Sequence, residues 1–182
     1  RTYSLDFPTS NNAFNSTHDS YSSDAFISVL DATGCNLVYS SLLGGVGDKD
    51  WATAVVTRKR NIIAVTGTTF CSNFPITKNS FGQAYKGGGY YFGDCFVSQL
   101  DISLIGQNQL TYSTFLGGNN SDIGYGIISE NGYITVAGKT SSCDFPTTAT
   151  AFDATFNNRP GGSSGDGFIS HINPSADRKS VV

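Results

Sequence analysis

The chain has 182 residues, enough for one domain with a proper core or for several small units set side by side. Its 21 Gly, 13 Phe and 9 Tyr, with no Met and no long stretch of apolar residues at helical spacing, favour short strands joined by tight turns over packed helices. The formal charge is −3 and the 11 Lys and Arg are dispersed except at Arg58-Lys59-Arg60, which argues against nucleic acid as a partner. Nothing approaches the roughly 18 apolar residues of a membrane helix, so no direct membrane insertion is expected.

In chain order, residues 1–3 read as the end of a strand, and the long loop 4–23 carries Asp6-Phe7-Pro8-Thr9 and Phe14. A strand at 24–31 opens on Asp24-Ala25-Phe26-Ile27-Ser28; another at 37–43 opens on Leu37-Val38-Tyr39-Ser40 and runs into Leu43-Gly44-Gly45. Strands follow at 51–57 and at 62–69, the second containing Val65-Thr66-Gly67, with the basic run Arg58-Lys59-Arg60 read as a solvated turn between them. The loop 70–93 then repeats the early signature as Asn73-Phe74-Pro75 and Phe81, and strands at 94–101 and 109–116 repeat Asp-x-Phe and Leu-x-Tyr-Ser before Leu116-Gly117-Gly118. The last stretch gives strands at 124–129, 133–140 and 166–172, with Asp144-Phe145-Pro146 and Phe152 in the loop 141–165. Residues 173–182 read as a turn leading into a further strand.

Phe7, Phe74 and Phe145 are 67 and 71 residues apart, so a tandem repeat varies in length only in its loops. Four strand-like runs per period suggest the blade of a β-propeller. The expected fold is all-β: a partial propeller of about two and a half four-stranded antiparallel blades, divided into a partial blade at 1–50, a complete blade at 51–116 and a partial blade at 117–182. Ten strands that begin and end inside blades cannot close a ring, and an open ring exposes strand edges, so a longer native chain is expected.

The fixed order of Asp24-Ala25-Phe26, Leu37-Val38-Tyr39-Ser40, Leu43-Gly44-Gly45, Val65-Thr66-Gly67 and Ser142-Cys143-Asp144-Phe145-Pro146-Thr147-Thr148 resembles the SBBP-type β-propeller repeat along essentially the whole chain. That resemblance implies a propeller in a large secreted or surface protein and supplies no catalytic motif.

In such a blade the connection from second to third strand emerges on the same face as the connection into the next blade, so the long loops share one face with the turns at 44–50 and 117–122. Tyr90, Tyr91 and Phe92, set among glycines in the longest loop, are the candidate binding aromatics, and covering the adjacent blade is the competing reading. The recurring loop Phe residues are expected to fold each loop onto its blade. Asp48, Asp50 and Asp122 follow the Gly-Gly pairs and are candidate calcium ligands, against the reading of ordinary turn chemistry. His18 and His171 show no zinc spacing with the cysteines, and no nucleophile elbow is present. Asn15 and Asn119 begin glycosylation sequons in predicted exposed loops.

Cys71 follows the second strand and Cys95 begins the third, at the same end of antiparallel neighbours, so a disulfide between them is expected. Cys35 and Cys143, on opposite faces, are expected not to bond to each other. The functional expectation is a non-enzymatic structural or adhesive module, extracellular or on the cell surface, contacting glycans, other surface proteins, identical subunits or the remaining blades of the same chain. The alternative is a carbohydrate-active enzyme with catalytic carboxylates on the loop face or in absent blades.

Overall fold

The computed structural model describes residues 1–18, 22–78, 80–87, 93–157 and 165–175. Nine strands form three antiparallel sheets, and no α-helix occurs among the described residues. The first sheet pairs β1 (Ala25–Leu30) with β2 (Leu37–Leu43). The middle sheet runs in the order β3 (Asp50–Lys59), β4 (Ile62–Thr69), β5 (Asp94–Asp101) and β6 (Leu110–Leu116). The third holds β7 (Asp122–Glu130), β8 (Tyr133–Thr140) and β9 (Asp166–Ile172). Strand order thus follows chain order in every sheet, and no sheet closes on itself.

Three boundaries differ from the sequence reading. The expected strand at residues 1–3 is reduced to one bridge between Thr2 and Asp24. Residues Gly106–Gln109 form a 3-10 turn ahead of β6. Strands β3 and β7 begin at Asp50 and Asp122, which the sequence reading left in turns.

Pleating determines the packing. Successive side chains of a strand point to opposite faces, and β5 is buried from Asp94 to Leu100, so both faces of the middle sheet are covered. Phe96 and Leu100, with Ile63, Val65 and Phe115, join Ile27, Tyr39 and Leu43 of the first sheet in one core. Cys95 and Val97, with Ala64, Tyr112 and Leu116, join Ile127, Ile134, Val136 and Phe168 of the third sheet in another. The middle sheet is therefore stacked between its neighbours, and each fully buried Phe or Leu contributes about 1.5–3 kcal/mol.

Polar ties fix the stacking. Between the first and middle sheets, the buried Gln109 accepts a hydrogen bond from the Tyr39 hydroxyl at 2.6 Å and donates to the carbonyls of Asn12 and Leu104 at 2.6 and 2.8 Å. Between the middle and third sheets, the Thr53 hydroxyl donates to the Gly124 carbonyl. Arg58 donates to the Ser129 hydroxyl at 2.6 Å, to the Gly132 carbonyl and to Gln99. The solvated-turn reading is thus corrected for Arg58, which lies within β3 as an inter-sheet tie, while Lys59 and Arg60 are exposed.

The Val-x-Gly signature has a steric cause. Strand β3 bulges between Ala52 and Ala54, and β7 between Gly124 and Gly126. Each bulge presses a carbonyl against the facing glycine: a Cβ at Gly67 would overlap the Trp51 oxygen, and one at Gly138 the Ile123 oxygen. We expect Gly67→Ala to lose about 1–3 kcal/mol as overpacking does elsewhere, measured by denaturant unfolding. Gly126→Ala, where a Cβ meets nothing within 4 Å, should be nearly neutral.

Candidate functional site

The turns linking successive sheets meet the loops that join β4 to β5 and β8 to β9 at one end of the sheets, where two junctions are built from equivalent residues. At the first, Gly44 lies between the buried Asp24, which ends the bridge to Thr2, and the buried Asp50, which starts β3. A Cβ there would stand 2.8 Å from Asp24 Oδ1 and 2.6 Å from Asp50 Oδ2. At the second, Gly117 lies between Asp94 and Asp122, and its Cβ would stand 2.9 Å from Asp94 Oδ1 and 2.7 Å from Asp122 Oδ2. Only glycine lets the two carboxylates converge so closely.

Each loop is clipped to its junction in the same way. The Gly45 amide donates to Asp50 Oδ2 at 2.8 Å, and the Gly118 amide to Asp122 Oδ2 at 2.9 Å. The same oxygens accept from the Cys71 thiol at 3.4 Å and from the Ser142 hydroxyl at 2.9 Å. One residue pair further, Asn73 Oδ1 accepts from the Val46 amide at 3.0 Å and Asp144 Oδ1 from the Asn119 amide at 2.8 Å. The [Asn/Asp]-Phe-Pro signature follows from this, because the Asn or Asp ties down the turn while its Phe packs on the third strand. Phe7 meets Phe26, Phe74 meets Phe96 and Phe145 meets Phe168, all at ring distances of 4.5–4.6 Å.

The junction carboxylates have unusual electrostatics. Asp50 and Asp94 are both pushed up to about 7, chiefly because burial penalises the charged form. Hydrogen bonds oppose the shift at each, the Lys86 amide holding Asp94 Oδ2 at 2.7 Å, while the facing carboxylate reinforces it. Burial raises Asp122 as well. The Oδ1 atoms of Asp50, Asp94 and Asp122 are buried and make no hydrogen bond. A cross-loop contact between Lys86 Nζ and Asp144 Oδ2, 3.8 Å apart and partly solvated, adds little.

Among the sequence candidates, Asp50 and Asp122 occupy equivalent places in different junctions, so they are not neighbours around one site, and Asp48 accepts from the Lys49 amide at 2.8 Å. Among the described residues no group of three or more His, Cys, Asp and Glu side chains is arranged to hold a metal ion. Their burial in clips was not legible in the sequence, where an Asp after Gly-Gly reads as solvated turn chemistry. Tyr90, Tyr91 and Phe92 lie outside the described residues. Asn119 is exposed, and Asn15 is half-buried with its side-chain oxygen accepting from the Thr17 amide at 2.9 Å. His18 Nε2 lies 3.3 Å from the Thr2 carbonyl oxygen, and His171 stacks on Tyr133 and pairs with the Thr135 hydroxyl at 2.8 Å.

The expected disulfide is not formed: Cys71 and Cys95 are both free and buried. They sit at the same end of the middle sheet but on opposite faces, Cys71 in the core shared with the first sheet and Cys95 in the core shared with the third. Proximity along the ladder was read correctly and side-chain direction was not. No family model matches the sequence, and a search of curated proteins found no match.

Two measurements check this site. Asp50 and Asp94 titrate near 7 when folded and near 4 when unfolded, so the unfolded chain releases their protons first and stability falls as pH rises from about 4 to beyond 7. Thermal unfolding should show that decline, and Asp94→Asn should flatten part of it. Cysteine labelling should modify the exposed Cys35 and Cys143 in the native protein, with Cys71 and Cys95 reacting only on unfolding, since burial pushes Cys95 up to about 12 and raises Cys71 further.

Proposed function

We propose that the chain is a partial β-propeller similar to the SBBP-type repeats, with about two and a half blades. In this reading it serves as a non-enzymatic structural or adhesive module of an extracellular or cell-surface protein or filament. Its long-loop face contacts glycans or proteins. The observation that carries this reading is the equivalence of the two junctions, where Asp50 corresponds to Asp122 and Asp24 to Asp94, and where Asp50 and Asp122 are committed to clipping loops onto sheets. A catalytic centre needs residues that differ from their repeats; these do not. What the repeat offers is a rigid stack that displays variable loops, the arrangement on which binding surfaces are built.

The test is incubation with a panel of oligosaccharides, reading both binding and release of reducing ends. We expect binding without turnover, weakened by substitutions within residues 84–93. Turnover abolished by a single Asp→Asn change would replace this reading with a carbohydrate-active enzyme.

A further inference from the structure

Strand β7 turns into β8 through Asn131-Gly132, the one Asn-Gly step in the chain. Glu130 pairs with Tyr133 across it, and both central residues are left-handed, with φ 49° at Asn131 and 90° at Gly132. That is a two-residue type I′ hairpin turn, for which Asn-Gly is a preferred pair. Among the described non-glycine residues Asn131 alone has a positive φ. Both turn residues are exposed, and a Cβ at Gly132 would meet nothing within 4 Å. The equivalent turn of the middle sheet, Arg60-Asn61, is exposed too, although both faces of that sheet are covered.

The turn is gripped from the neighbouring sheet. Arg58 of β3 donates to the Gly132 carbonyl and, at 2.6 Å, to the Ser129 hydroxyl, which in turn donates to the Tyr133 carbonyl at 3.0 Å. One guanidinium fork therefore holds both arms of the hairpin closed beside the turn. This matters for the chemistry of the Asn-Gly step, in which the glycine nitrogen attacks the asparagine side chain unhindered by any Cβ. A type I′ turn sets ψ of its first central residue at about 30°. The Gly132 nitrogen then lies across the Cα–C bond from Asn131 Cβ, out of reach of Cγ. The peptide plane must swing round before the two can meet, and the hold of Arg58 on the Gly132 carbonyl resists that swing.

We propose that Asn131-Gly132 is a latent modification site: its conversion to isoaspartate is held back by the clasp of Arg58, and once it occurs it removes that clasp. The Gly132 nitrogen attacks Asn131 Cγ, the Cγ–Nδ2 bond breaks, and the proton lost from the nitrogen leaves with the departing ammonia, closing a succinimide. Water then opens either carbonyl of the ring and leaves aspartate or isoaspartate at position 131. Atoms balance with water as the sole co-reactant. Isoaspartate adds one carbon to the main chain of a turn that has room for two residues only, so the Gly132 carbonyl no longer meets Arg58. The stacking of the third sheet on the middle one then loses a polar tie irreversibly.

The test ages the complete chain, Arg58→Ala and Ser129→Ala in neutral buffer, beside the complete chain in denaturant, and follows position 131 by peptide mapping that separates aspartate from isoaspartate. Conversion in Arg58→Ala should run about tenfold faster than in the native chain, the equivalent of one charge-assisted hydrogen bond lost from the closed turn. Ser129→Ala leaves Arg58 on Gly132 and should fall between the two; it decides the matter if Arg58→Ala does not fold. Once converted, the protein should exchange the amides of β7 and β8 faster, with the β4–β5 ladder unchanged. Equal rates in the native chain and the folded variants, no isoaspartate at 131 even in denaturant, or unaltered exchange after conversion would each overturn the proposal.

Discussion

Burial of both faces of the middle sheet is the constraint on which the rest depends. A two-stranded sheet is marginal alone, so the first sheet owes its order to the middle one, and the third covers its apolar face against the same sheet. Strand β5 carries the largest share, since it contributes Phe96 and Leu100 to one core and Cys95 and Val97 to the other. Its composition reflects that position: apart from Gln99, apolar and small hydroxyl residues fill the buried run, with a charged residue only at each end of the strand.

The junctions solve the problem that stacking creates. Chains must pass from the outer strand of one sheet to the inner strand of the next, which leaves turn amides to be satisfied in a crowded place. A buried carboxylate accepting from the Gly-Gly amide and from a Cys or Ser of the adjacent loop satisfies several groups at once. The electrostatic consequence is one carboxyl in each junction, Asp50 in the first and Asp94 in the second, pushed up to about 7. Folding and loop placement are therefore coupled to protonation through the same atoms.

Periodicity made the strands legible: alternation and turn residues placed all nine within two residues of their ends, and the repeated signatures gave their order. Contacts between repeats were less legible, because they join residues about 70 positions apart with no local pattern. Arg58 to Ser129 and Tyr39 to Gln109 are examples. The cysteine error has a simple origin, since one residue of offset reverses the face to which a side chain points. The carboxylate clips were hidden for a different reason: Asp beside Gly-Gly looks the same in a solvated turn and in a buried one, and only the stack decides between them.

The central claim is the face-to-face stacking of the middle and third sheets, and nuclear Overhauser contacts at Gly124 test it most directly. A Cβ at Gly124 would stand 3.0 Å from Cys95 Sγ and overlap the Thr66 hydroxyl, so its α-protons lie against both side chains. Cross-peaks from the Gly124 α-protons to Thr66 and to the Cys95 β-protons are predicted. Their absence in a spectrum that retains the β4–β5 ladder contacts would mean that the sheets form without stacking, and the account would be wrong.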